Sequence, residues 1–194
     1  MKETIERQMA FIREMDKMKG VLRRNMMLDG TRNEDDAQHS WHIALMALVL
    51  SEYAQPGVNI DHAVRMLLVH DIVEVDAGDT YAYDEKGYTD KAEREQKAAA
   101  RLFGLLPNGQ GEALRALWEE FEANQTPTAQ YANAIDRLQP LWGNFWVGGH
   151  VWKQNHITRA AVEKRNAIAK EVLPEVWSVT ERMLDEAVEK GVLR

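Results

Sequence analysis

Between Leu67 and Val75 an apolar run is interrupted by His70, Asp71 and Glu74. The interruption needs a chemical reason. An ionised carboxylate buried without a partner costs several kcal/mol or more, and helical spacing puts Asp71 on the same face as Leu67, Leu68 and Val75. A bound cation removes that cost. On a helix, successive residues are about 100° apart, so His70 and Asp71 both reach one ion seated in the sector between them. A His-Asp dipeptide alone is a weak signal. Asp61-His62 is a second one, placed where a helix opens and where an aspartate caps or favours the positive end of the dipole, and it is assigned no chemistry. Two further ionisable residues interrupt apolar helix faces: His39, 31 residues before His70, and Asp136, 65 residues after Asp71. The chain has no cysteine, which excludes disulfide frameworks, thiolate metal sites and thiol nucleophiles. Any metal is held by nitrogen and oxygen.

The elements that must carry these residues are helices. His39, Ile43, Met46 and Leu50 recur at helical steps, as do Val64, Leu67, Leu68, Asp71 and Val75, so the spacing predicts helices over 39–50 and 60–75. Segments 90–103 and 112–122 are amphipathic as well. Thr126-Pro127 is a helix-start signal, and the stripe Tyr131, Ile135, Leu138, Trp142 and Phe145 follows it. Helices over 158–172 and 175–190 flank Pro174, and Gly191 is placed as a C-terminal cap. Strand-type alternation is almost absent, so the expected class is all-α. The 194 residues suit one domain, 1–194, with the helices of 158–190 packing on it.

The text around the ionisable residues narrows the reading. Arg24 precedes His39 by fifteen residues, and Arg32-Asn33-Glu34 leads through Asp35-Asp36-Ala37-Gln38 into His39-Ser40. His70-Asp71-Ile72-Val73-Glu74 runs on to Gly78-Asp79, and Leu117-Trp118-Glu119-Glu120-Phe121-Glu122 and Ala134-Ile135-Asp136-Arg137-Leu138 follow in order. In these motifs the chain resembles the HD-domain metal-dependent phosphohydrolases, and within them the 5′-deoxynucleotidase branch, over roughly residues 5 to 145.

The resemblance implies a helical bundle with a metal site between helices. It implies His39, His70, Asp71 and Asp136 as ligands, Glu74 and Asp79 as the groups acting on protons and water, and Arg24 as the phosphate grip. Two imidazoles and two carboxylates are hard-to-borderline donors that suit Co²⁺, Mn²⁺, Fe²⁺, Ni²⁺ or Zn²⁺ better than Ca²⁺ or Cu⁺. The family's preference is of the Co²⁺ or Mn²⁺ type, with one divalent ion per chain. Such an ion lowers the pKa of its water and offsets phosphate charge. Glu74, one turn beyond His70 and Asp71, is spaced to handle protons near the ion without binding it. The implied reaction is hydrolysis of (deoxy)nucleoside 5′-monophosphates to nucleoside and phosphate.

Two departures from the pattern bear on the substrate. Asn25 stands in the substrate-binding stretch where the family's deoxynucleotidases usually carry a tryptophan that helps select 2′-deoxyribose. Thr80-Tyr81-Ala82-Tyr83-Asp84 replaces a more proline-bearing loop, and Tyr81, Tyr83 and Tyr88 are candidates to stack on a base. These departures keep open another phosphate ester on the same metal site, a phosphodiester or a nucleoside triphosphate. A non-catalytic metal-binding module is the third reading. His42 is a candidate to support His39, and His150 and His156, with Trp142, Trp146 and Trp152, are candidates to line a pocket or seam.

Net charge −7 argues against a nucleic-acid polymer as partner. The first residues are interleaved with charge, unlike a secretory signal, and the longest apolar run, Ile43 to Leu50, has eight residues. A membrane helix needs about 20, so a cytoplasmic protein without membrane contact is expected. The apolar positions of 157–188, from Ile157 to Val188, exceed what a solvated tail needs, and a homodimer is expected to cover the remainder.

Overall fold

The structure, a computed structural model, describes residues 1–84 and 86–194. It opens with α1 (Lys2–Met15) and a 3-10 turn (Asp16–Gly20), and a hairpin of β1 (Leu22–Met26) and β2 (Asn33–Asp35) leads directly into α2 (Asp36–Val49). Then come α3 (Ile60–Val69), the short α4 (Glu74–Ala77), α5 (Lys91–Phe103), α6 (Gln110–Ala123) and α7 (Pro127–Trp146). The chain closes with α8 (His150–Gln154), α9 (Arg159–Arg165), α10 (Ala167–Val172) and α11 (Pro174–Glu189). Among the described residues the class is all-α apart from one hairpin. Among the described residues, no helix is long and apolar enough to cross a membrane.

Local chemistry explains the helix ends. Asp35 caps α2 by accepting from the Gln38 N–H, while the Gln38 side chain accepts from the Asp35 N–H, a reciprocal capping box. Thr126 caps α7 with proline at its first position, as its sequence signals. Asn59, rather than Asp61, caps α3 through the His62 N–H. Gly191, with φ +65°, follows the last turn of α11.

Helix α7 is the axis of the core. Ala129, Tyr131, Ala132, Ala134, Ile135, Leu138 and Leu141 are all buried along it, and α2, α3, α6, α10 and α11 pack around it. The buried cluster runs from Phe11 to Leu193. It includes Val162, Val172, Val176, Trp177 and Leu184, so the C-terminal helices spend most of their apolar residues on their own chain. Val179 and Val188 stay exposed.

Three expectations are corrected. The predicted helix over 60–75 ends at Val69, and 70–73 is a tight turn in which Ile72 N–H donates to Val69 O and Glu74 N–H to Asp71 O. The His70 ring causes the break: its Nδ1 takes the Leu67 carbonyl at 2.9 Å, the acceptor that a continuing helix would offer to the next main-chain N–H. The buried face of α3 is accordingly Ala63, Met66 and Leu67, and Leu68 is exposed. The helix over 158–172 is split at Asn166, whose side-chain amide donates back to the Val162 carbonyl. The hairpin carries no apolar alternation because alternate residues Arg23 and Asn25 face a polar cavity instead of the core.

Candidate metal centre

Three elements bring the selected ligands to one buried point: α2 carries His39, the turn after α3 carries His70 and Asp71, and α7 carries Asp136. His39 Nε2 lies 3.0 Å from Asp136 Oδ1 and 3.9 Å from Asp71 Oδ2. His70 Nε2 lies 3.0 Å from Asp71 Oδ2 and 3.6 Å from Asp136 Oδ1. Each ring is oriented from behind. His70 Nδ1 faces a main-chain carbonyl, which only accepts, so the proton sits on Nδ1 and the Nε2 lone pair points inward. His39 Nδ1 faces Gln139 Oε1 at 3.1 Å, and the Gln139 amide donates to Glu34 Oε1 at 2.9 Å and to His42 Nδ1 at 3.2 Å. That network orients the Gln139 oxygen toward His39.

The donor set fits a divalent ion. His70 Nε2 is buried and makes no hydrogen bond despite its two carboxylate neighbours. An unpaired imidazole nitrogen facing carboxylate oxygens is what a hard-to-borderline cation satisfies. Charge points the same way. Burial disfavours protonation of both rings and, with Arg23 nearby, takes His39 down to about 4. At His70, Asp71 and Asp136 overcome burial and raise the ring to about 10. Asp71, which burial would push up, is held well below the carboxylate range by His70 and Arg23. The cage favours positive charge between its two aspartates, which a divalent ion would supply in place of the His70 proton.

Further acids surround the cage. Glu74 is buried with Oε2 unpartnered, and burial together with Asp71 and Asp36 raises its pKa well above normal. Asp79, beyond Gly78 on the cavity wall, is raised by burial. Asp36 is fully buried and is pushed up to about 7 by burial and by Asp71.

The register of β1 separates the two arginines. Arg23 turns inward, with Nη1 2.7 Å from Asp71 Oδ2 and 3.3 Å from Asp36 Oδ1. Arg24, selected from its spacing to His39, is exposed at the cavity mouth, its guanidinium 5.7 Å from the Tyr81 ring centroid. Asn25 faces inward and donates to the Pro140 carbonyl at 2.9 Å. Sequence reasoning missed Arg23, Asp36 and Gln139. Their signals were strand alternation, which pairs Arg23 with Asn25, and helical spacing, which sets Asp36 one turn before His39 and Gln139 one turn after Asp136.

The cage opens into a cavity of about 370 Å³, a size common for small-molecule sites. Tyr81 and Tyr83 stand on its wall 5.5 Å apart, edge to face. Their loop is stapled by Arg94, which donates to Ala77 O, Thr80 Oγ1 and Gly87 O. Arg137 and Arg165 line the cavity, with Trp152. His42 supports His39 through Gln139, whereas His150 and His156 are exposed and contribute nothing to the cage.

Two histidines and two aspartates from three neighbouring elements of a helical bundle stand close together beside a cavity, a candidate metal centre. The chain belongs to the HD-domain family, whose model matches residues 15–177. Human 5′-deoxynucleotidase HDDC2 is 30% identical over 132 residues, 68% of this chain and 63% of that protein. Its Danio rerio counterpart is 30% identical over 108 residues, 56% of this chain and 52% of that protein. The chain thus spans between half and two thirds of these relatives. A crystal structure of a predicted metal-dependent phosphohydrolase from Magnetospirillum magnetotacticum is 49% identical, with TM-score 0.94, covering 98% of this chain and 96% of that one.

Proposed function

We propose that this protein is a metal-dependent phosphomonoesterase that hydrolyses nucleoside 5′-monophosphates, deoxynucleotides among them, to nucleoside and inorganic phosphate. The observation that carries the reading is the buried, unpaired His70 Nε2 between two aspartates, opening beside an unpartnered Glu74 carboxyl into a cavity edged with guanidinium groups. The names of the relatives support the same substrate class.

In this reading His39, His70, Asp71 and Asp136 hold a Co²⁺- or Mn²⁺-type ion, which supplies an acidified water and neutralises phosphate charge. The residues of the chain do the rest. Glu74, free at Oε2 and held protonated above the ordinary range, takes and returns protons beside the ligands. Asp79, on the cavity wall, serves the leaving 5′ oxygen. Arg24 at the mouth offers a planar fork to the phosphate, and Tyr81 and Tyr83 offer faces for the base. Asn25 is held by Pro140, on the wall where a sugar would lie.

The test is a panel of nucleoside 5′-monophosphates, triphosphates and cyclic diesters with Co²⁺ or Mn²⁺, read by inorganic phosphate. Phosphate from the monophosphates is expected; pyrophosphate or an opened diester as the main product contradicts the reading. Glu74→Ala is expected to keep its metal and lose at least about 100-fold in turnover. Asp71→Ala is expected to lose the metal itself. Full activity in Glu74→Ala removes the role given to that residue.

A further inference from the structure

The cavity wall formed by α7 and α9 carries polar atoms that the hydrolysis does not use. Arg137 follows Asp136 on α7, Arg165 ends α9, and Asn166 comes next; all three line the cavity. Other cations on that wall are paired, Arg23 with Asp71 and Lys91 with Glu95. Among the described residues, Arg137 and Arg165 are in no ion pair. Arg137 reaches only neutral oxygens, both at 3.3 Å, the Arg165 carbonyl from Nη1 and Asn133 Oδ1 from Nη2, and its buried Nε has no partner. Asn166 is 2% exposed. Its amide nitrogen donates to the Val162 carbonyl at 2.8 Å, which fixes the amide and leaves Oδ1 buried without a donor.

Charge is not what this wall lacks. Burial and then Arg165 lower the Arg137 pKa, but Asp136 and Glu122 oppose them through space. The unmet need is for hydrogen-bond partners: acceptors for two planar forks and a donor for Asn166 Oδ1. An oxyanion brings acceptors and no donor, whereas the edge of a keto base brings both. An aromatic face stands close by, since Tyr83, pushed up to about 12 by burial and Tyr81, is drawn down by Arg165.

We propose that Arg165, Arg137 and Asn166 form the base-recognition edge of the cavity and select a 6-oxopurine, guanine or hypoxanthine. The proposal rests on the reading that the protein acts on nucleoside 5′-monophosphates. A guanidinium fork donates to O6 and N7 of such a base, Asn166 Oδ1 accepts from its N1–H, and the ring lies against Tyr83. Adenine reverses the pattern: its 6-amino group donates where the guanidinium donates, and its N1 accepts where Asn166 accepts. Buried groups that an analogue leaves unpaired are the strongest basis for rejecting it.

The test separates the 6-oxo group from the rest of the base. Co²⁺-loaded wild type and Arg165→Met are titrated by calorimetry with deoxyguanosine, deoxyinosine and deoxyadenosine, and phosphate release from the three 5′-monophosphates is followed in parallel. Circular dichroism checks folding, and Arg165→Gln serves where the methionine variant does not fold. The wild type is expected to favour both 6-oxopurines over adenine by at least about 10-fold in binding and in kcat/KM, and the arginine variant by less than about threefold. Equal handling of the three by the wild type, a preference for adenine, or a preference that survives in a folded Arg165 variant overturns the proposal. So does strong binding of deoxyguanosine with weak binding of deoxyinosine, which assigns selection to the 2-amino group. No phosphate from any monophosphate removes the nucleotidase reading and the proposal with it, whereas equal turnover of all three removes only the selectivity.

Discussion

His39 turns Nε2 toward the centre because Gln139 takes its other nitrogen, at 3.1 Å. The same glutamine donates to Glu34, a 5% exposed carboxyl that burial pushes up to about 7. Replacing Gln139 by leucine removes an acceptor from the ligand and a donor from the acid at once. Because partners of this kind fix the tautomer and orientation of a ligating ring, Gln139→Leu is expected to weaken metal binding by roughly 10- to 100-fold. Competition between the protein and a chelator for Mn²⁺ reads the loss directly; unchanged affinity would show that packing alone orients His39. His70 offers no equivalent substitution, since its Nδ1 partner is the main-chain carbonyl of Leu67.

The turn that ends α3 is the element-scale feature on which the site depends. It points His70 and Asp71 inward within two residues and starts α4 at Glu74. Helix α3 packs on α2, α6 and α7, and one polar joint on the α6 side titrates. His62 Nε2 lies 2.8 Å from Glu120 Oε2, and Glu120 Oε1 accepts from Thr126 Oγ1 at 2.7 Å, at the start of α7. Burial, the largest single influence, raises the Glu120 pKa, but its bonds to His62 and Thr126 together outweigh it and leave the carboxyl below its ordinary value. A depressed carboxyl contributes stability above the pKa of the unfolded chain and loses it as pH falls through the folded value. The pair is about one third exposed, so the contribution is on the order of 0.2–1 kcal/mol. Glu120→Gln is expected to lower stability by that amount at pH 7 and to match the wild type in acid, as urea melts at the two pH values would show.

At the scale of the whole molecule, α10 and α11 return to α7 and cover most of the apolar positions that suggested a partner. The Trp142 indole donates to Thr180 Oγ1 across the α7–α11 contact at 3.0 Å. The chain end is tied back as well, with Arg159 N–H donating to Arg194 O at 2.7 Å. One exposed apolar face lies on α1, with Ile5, Met9 and Ile12, and another on α2, where Trp41, Leu45, Leu48 and Val49 form a helical stripe. A two-fold pairing on that stripe is how a homodimer would form. Light scattering at micromolar concentration is expected to give twice the mass of one chain, and Trp41→Glu to return it to the single-chain mass. A single-chain mass for the unaltered protein sets the dimer aside.

The helical class, the caps at Thr126 and Gly191, and the four residues proposed for the cage were legible in the sequence alone. Each leaves a local mark: apolar spacing, a capping pair, or a charge where a core residue belongs. The short hairpin left none, because its inward side chains are Arg23 and Asn25, and a strand that faces a polar cavity has no apolar alternation to show. The end of α3 was equally hidden, since a His70 ring competing for the Leu67 carbonyl follows from neither propensity nor pattern. Which of two adjacent arginines enters the acid cluster was decided by the pairing of β1 with β2, and which glutamine supports His39 by the packing of α7 on α2. Contacts between residues about a hundred positions apart depend on how the elements dock, and only the tertiary structure settles them.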